Sequence, residues 1–179
     1  MALTATAIPA QTRAMKTRTM LVTLALCLAA AANCFAASPQ MGTWKLNEAK
    51  SKLAPGMGKN TKVIYAADIT LTNAIGQRVK DRVKVTVDGV DKDGKPTHSV
   101  WVGKFDGKVY PVKGNLPYNA VMYKVVNDYT NNIMAMKDGK TLWTGTVTVA
   151  KDGKSRTVIV NGTDANGKKF TNNVVYDKQ

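Results

Sequence analysis

Side chains suited to acid–base and nucleophilic chemistry are scarce in this 179-residue chain. Histidine, the commonest general acid–base group, occurs once, as His98, at the start of a stretch that reads as a strand. A single imidazole can orient a ligand, yet a lone histidine at a strand end is ordinarily a surface residue. Glu48 is the only glutamate, and Asp88, Asp93, Asp106, Asp138 and Asp152 each precede a glycine, as turn aspartates do. Few carboxylates remain for the facing pair that glycoside hydrolysis requires. Asp68 and Asp81, inside expected strands, are the outliers. No Gly-x-Ser-x-Gly nucleophile turn, His-x-x-His pair or Cys–His arrangement can be drawn. Asp88-Gly-Val-Asp91-Lys-Asp93-Gly94 fails as a calcium loop: with Gly94 at the sixth place, Gly89 and Val100 fall at the first and twelfth. Gly56-Met57-Gly58-Lys59-Asn60 lacks the spacing and the hydroxyl of a phosphate loop. This inventory points away from an enzyme, a metal site or a cofactor.

What remains is an apolar set. Tyr65, Trp101, Tyr123, Met134 and Trp143 fall in expected strands. Ligand pockets are mostly apolar with a few placed polar groups, so these five are the candidate lining of a site for a small apolar or amphipathic molecule. The same side chains would equally fill a solid core.

The elements that must position them are strands. Asp-Gly-Lys occurs at 93–95, 106–108, 138–140 and 152–154, with Asn166-Gly167-Lys168 a fifth copy in kind and Asp88-Gly89 and Asn161-Gly162 further turn dipeptides. Such pairs supply the positive φ angles of tight hairpins. Between them, residues alternate: Val63, Tyr65, Ala67, Ile69 and Leu71 share one face, and Val83, Val85 and Val87 oppose Lys84, Thr86 and Asp88. Val147 and Val149 oppose Thr146 and Thr148, and Phe170, Asn172, Val174 and Tyr176 share a face. Strands are expected near 41–46, 62–72, 78–88, 97–105, 108–113, 119–127, 130–137, 140–150, 155–161 and 168–177. One helical turn over 47–52 is expected, capped by Asn47, followed by a loop over 53–60. Short connections make sequential strands neighbours. The expected fold is therefore all-β: an antiparallel up-and-down meander of eight to ten strands, closed into a barrel because closure removes both exposed edges. A sandwich is the competing architecture.

The first 36 residues differ in kind. They carry three basic residues and no acid, then thirteen residues from Met20 to Ala32 that are apolar apart from Thr23, then Cys34-Phe35-Ala36. That order describes a secretory signal peptide cut after Ala36, leaving residues 37–179 as a single barrel domain in the periplasm or medium. Residues 1–14 read as surplus, with Met15 or Met20 the true start. A lipid anchor on Cys27 or Cys34 is the lesser alternative, since Leu26 and Asn33 are poor residues before a lipidated cysteine. Cleavage takes both cysteines, so no disulfide remains. The charge falls from +14 to +11, because three basic residues leave with the signal. Lysines in turns keep sheet proteins soluble; the sharper reading is attraction to an anionic envelope surface. Nucleic acid is not an expected partner, because no arginine cluster or aromatic-rich basic motif occurs.

Met41-Gly42-Thr43-Trp44-Lys45-Leu46 resembles the Gly-x-Trp motif that opens the first strand of lipocalins, and Asn127-Asp128-Tyr129 resembles their second motif, at a turn between late strands. With the Asp-Gly-Lys hairpins, the likeness extends over nearly all of 41–179, to exported bacterial lipocalin-like (calycin) proteins of unassigned function. The resemblance implies a barrel whose closed end is plugged by Trp44. The family's third motif sets an arginine of the last barrel strand against that tryptophan. Here the only late arginine, Arg156, stands just past a turn, where the chain departs from the pattern.

Overall fold

Runs of β-branched and aromatic residues broken by Asp-Gly pairs build hairpins, and the hairpins close on themselves. The computed structural model describes residues 38–68, 81–164 and 166–179. Among them are ten strands: β1 (Gly42–Leu46), β2 (Lys59–Ala67), β3 (Val83–Val90), β4 (Pro96–Gly103), β5 (Asp106–Gly114), β6 (Ala120–Asn127), β7 (Thr130–Lys137), β8 (Lys140–Val149), β9 (Ser155–Thr163) and β10 (Lys169–Lys178). Each pairs antiparallel with its sequence neighbour, and β1 also pairs with β10, with Trp44 opposite Lys178 and Leu46 opposite Tyr176. The result is a closed ten-strand meander barrel with no free sheet edge, as the turn spacing implied.

The one described helical element is a 3-10 turn, Glu48–Lys50, and Asn47 caps it as expected: its Oδ1 accepts from the Lys50 N–H at 3.1 Å. The following segment lies along β10, where Lys52 bridges Asn173 and the Ala54 N–H donates to Asn172 Oδ1 at 2.7 Å.

Several boundaries move. β2 starts at Lys59, inside the expected loop, and ends at Ala67, and β3 starts at Val83. Asp68 and Asp81 therefore flank the β2–β3 connection rather than lying within strands. The expectations for Ile69, Leu71 and 78–80 lie outside the described residues, as do those for the signal segment 1–36 and for Cys27 and Cys34. Asp138-Gly139 forms the β7–β8 turn with φ of 49° and 80°, as a two-residue hairpin loop requires. Asp88-Gly89 and Asn161-Gly162 are not turns, because β3 and β9 run through them. Their glycines serve close approach instead. A Cβ at Gly89 would run into the Lys59 carbonyl oxygen, and one at Gly162 would come within 2.8 Å of Phe170 and Trp143.

Odd-numbered strands run away from the end that holds Gln40, and even-numbered strands run back. The β2–β3, β4–β5, β6–β7 and β8–β9 connections thus gather at the Gln40 end. The other connections ring the opposite end, called here the mouth. Buried Val63, Val83, Val85, Val121, Ile133, Val147, Val149 and Val174 line the wall between them. Barrel diameter grows with strand number, and aromatic rings stand among the side chains packed inside the ten strands.

Candidate functional site

Inward positions of the strands converge on a chain of aromatic and polar groups running from the Gln40 end towards the mouth. At the Gln40 end Trp44 has no exposed surface. Its Nε1–H donates to the Gln40 carbonyl oxygen at 2.9 Å. Gln40 is itself buried, and its Nε2 donates to the Tyr129 carbonyl at 3.0 Å. The Asn127–Tyr129 turn thereby helps hold the Gln40 segment that bonds Trp44.

Arg156 completes this end. Its side chain is 2% exposed and its guanidinium carbon lies 4.9 Å from the Trp44 ring centroid and 4.8 Å from those of Tyr65 and Tyr176. These are cation–π distances. The arginine–tryptophan contact that the sequence left incomplete is therefore present, made from β9 rather than from the last strand. Pairing supplies the reason: Arg156 is opposite Tyr176 on β10, and Tyr176 is opposite Leu46 on β1, so β9 is one strand removed from the strand that carries Trp44. Nε and Nη1 of Arg156 are buried without a hydrogen-bond partner.

Three of the five expected lining residues meet in the middle of the barrel. Tyr65, Trp101 and Tyr123 are 4%, 3% and 5% exposed. The Tyr65 and Tyr123 hydroxyls lie 3.2 Å apart, and the Trp101 ring sits 4.8 Å from Tyr123. Phe105 stacks on Trp101 at 6.1 Å and Tyr110 meets the same indole edge-on at 5.8 Å. Trp101 Nε1–H donates to the Val121 carbonyl at 3.1 Å, so its polar atom is satisfied by the wall. Burial pushes the Tyr123 hydroxyl well above its ordinary value, with Tyr65 adding to the rise and Arg156 opposing it. Burial likewise pushes Tyr176 up to about 12, again against the pull of Arg156.

Trp143, the fourth candidate, is half-buried and meets Tyr118 edge-on, ring centroids 5.5 Å apart. Tyr118 comes from the β5–β6 loop at the mouth and packs against the core. That loop is tied down on both sides. Asn115 Oδ1 accepts from the His98 N–H and Asn115 Nδ2 donates to the Pro96 carbonyl, while the Asn119 side chain bonds Asp138 in both directions.

Met134 faces the other way. Its neighbours Ile133 and Ala135 are buried, and a strand sends successive side chains to opposite faces. Register gives the cause: Tyr123 pairs with Ile133 and Met122 with Met134, so Met134 cannot share the face of Tyr123. Met134 instead lines a shallow hollow of about 360 Å³ on the outer wall, with Met122, Asn132 and Thr144. A second hollow, of about 460 Å³, lies at the rim of the Gln40 end between Met41, Arg82, Lys104 and Phe105.

His98 is exposed on the mouth side, where its Nδ1 lies 2.7 Å from Asp88 Oδ1. That contact, seconded by Lys62, holds the Asp88 carboxyl below its usual range. Asp68 forms an ion pair with Arg82, whose Nε lies 3.4 Å from Asp68 Oδ2. No group of three or more His, Cys, Asp or Glu suited to a metal occurs among the described residues.

Sequence reasoning passed over Arg156, Tyr118 and Tyr176 as site residues. Arg156 carried a usable signal, since it shares its strand face with Val158 and Val160. Tyr118 carried none, because it sits in a loop beside Pro117. The closed ten-strand antiparallel barrel is consistent with a lipocalin-like fold, while no family model and no curated protein sequence matches the chain.

Proposed function

We propose that this chain is an exported, non-enzymatic barrel that binds a small apolar or amphipathic molecule in its interior. The observation that carries the reading is the composition of that interior. Tyr65, Trp101 and Tyr123 present broad apolar rings, and among them stand the paired tyrosine hydroxyls and the Arg156 guanidinium. Apolar walls with a few placed polar groups are what small-molecule sites require. Access would be through the mouth, where side chains of the β5–β6 loop rather than strands stand over the interior.

A second reading, a structural or interaction protein of the envelope with a filled core and a basic surface, is favoured by the rings themselves. Neighbouring interior centroids lie 4.8 to 6.3 Å apart, the spacing of packed aromatic pairs, and the two hollows described above lie at the rim and on the outer wall. Titration with a fluorescent fatty acid separates the readings. The carrier binds the probe saturably, and Trp101→Ala changes affinity more than stability. No saturable binding, with a Trp101→Ala variant that is only less stable, overturns the carrier in favour of the structural protein.

Export has its own support in the basic, apolar and small-residue order of residues 1–36. Protein recovered from the periplasm or medium is expected to have a mass that begins at Ala37. Recovery with residues 1–36 intact overturns this part of the proposal.

A further inference from the structure

We propose that three thioethers on the outer wall, those of Met122, Met134 and Met136, form a site for a soft monovalent cation, copper(I) or silver(I). Register gathers them. Met122 of β6 pairs with Met134 of β7, and Ala120 pairs with Met136, so Met136 stands diagonal to Met122 on the same face. Side chains paired across strands have Cβ atoms about 4.5–5.5 Å apart, and diagonal ones about 7–8 Å. Methionine carries its sulfur two bonds beyond Cβ on freely turning bonds, so three sulfurs at this spacing can turn onto one ion. Met41 and Met57 are the other methionines among the described residues, and neither lies on β6 or β7.

Core packing does not account for the three. Methionine ordinarily fills irregular gaps in a core, but here Val121, Tyr123, Ile133 and Ala135 take the inward places. The methionines are half-buried on the outer face. Met122 and Met134 border the outer-wall hollow, whose lining holds no charged side chain. The Thr141 hydroxyl donates to Met134 Sδ at 3.4 Å, which occupies one sulfur lone pair and leaves the other for a metal. The donor set selects the cation. Thioethers suit copper(I), whereas the imidazoles and carboxylates that zinc, calcium or magnesium need are absent from the hollow. Neutral ligands offset no charge, which favours an ion of charge one over an ion of charge two. Lys124, the next outward residue of β6, is exposed and keeps its ammonium in water. The site lies outside the barrel, so it holds whether or not the interior takes a ligand.

The test titrates silver nitrate, a redox-inert stand-in for copper(I), into the full chain in chloride-free buffer. Cys27→Ser and Cys34→Ser are introduced first, to remove the chain's two thiols. NMR of methyl-labelled methionine is expected to show the Met122, Met134 and Met136 signals moving together and saturating at one equivalent, with Met41 and Met57 unmoved. Met122→Leu and Met134→Leu conserve volume and are each expected to weaken binding about tenfold or more. A thioether has no proton to exchange, so affinity is expected to be the same at pH 7 and pH 5, where an imidazole ligand would protonate and release the metal. Saturable binding that leaves the three methyl signals in place overturns the site, as does affinity unchanged in both leucine variants. Loss of binding at pH 5 assigns the metal to His98 and also overturns it. Absence of saturable silver binding removes the proposal outright and leaves the carrier reading untouched.

Discussion

Trp44→Ala is expected to lower the unfolding free energy by about 3–5 kcal/mol, the range for emptying a fully buried large aromatic site. Three losses combine. The indole has no exposed surface, so its removal leaves a cavity in the plug. Its hydrogen bond to the Gln40 carbonyl goes, which loosens the segment that closes this end. Arg156 also loses one of its three ring partners and becomes a less compensated buried cation. Denaturant unfolding of wild type and variant under identical conditions measures the difference. A loss well under about 1 kcal/mol would mean an exposed ring, and with it would go the comparison to the lipocalin plug.

Strongly alkaline solution is expected to unfold the barrel, through tyrosines. The folded pKa of Tyr176 is raised to about 12, above an ordinary value of 10.0. Tyr123 and Tyr118 are raised too, in each case mainly by burial. A group whose folded pKa is raised keeps its proton in the folded state where the unfolded chain has lost it. Its contribution is therefore fully present below about pH 10 and declines as pH climbs towards the folded value. For Tyr176 the decline over that window is about 3 kcal/mol, and Tyr123 adds to the slope. Urea midpoints should be flat below about pH 9.5 and fall steeply above it, with tyrosinate absorbance appearing together with unfolding. Full tyrosinate absorbance from a still-folded protein would show these hydroxyls to be reachable by water and contradict their burial.

The strands, their order and the closure were legible because each rests on local chemistry. Alternation marked Val83, Val85 and Val87 as one face. Asp138-Gly139 carried the φ angles of a hairpin, Asn47 the acceptor of a cap, and short connections made neighbours of consecutive strands. A meander of that many strands has one good way to lose its edges.

What the tertiary structure decided is which face is inside and what meets across the barrel. A one-residue offset exchanges the faces of a strand. Tyr123 and Met134 both looked inward by alternation, but pairing of Tyr123 with Ile133 turns Met134 out. Register shifts at Val125/Asn127 and Ala135/Met136 show how easily such a count slips. Asp88-Gly89 read as a turn because a dipeptide does not reveal whether its glycine serves φ or close approach, and the Lys59 carbonyl that requires the glycine comes from another strand. Arg156 lies 112 residues beyond Trp44 in the chain, and only closure through β1 and β10 brings its guanidinium onto that ring. Residue types and spacing thus determined the barrel and its plug. The guanidinium buried among Trp44, Tyr65 and Tyr176 exists only once the sheet has closed.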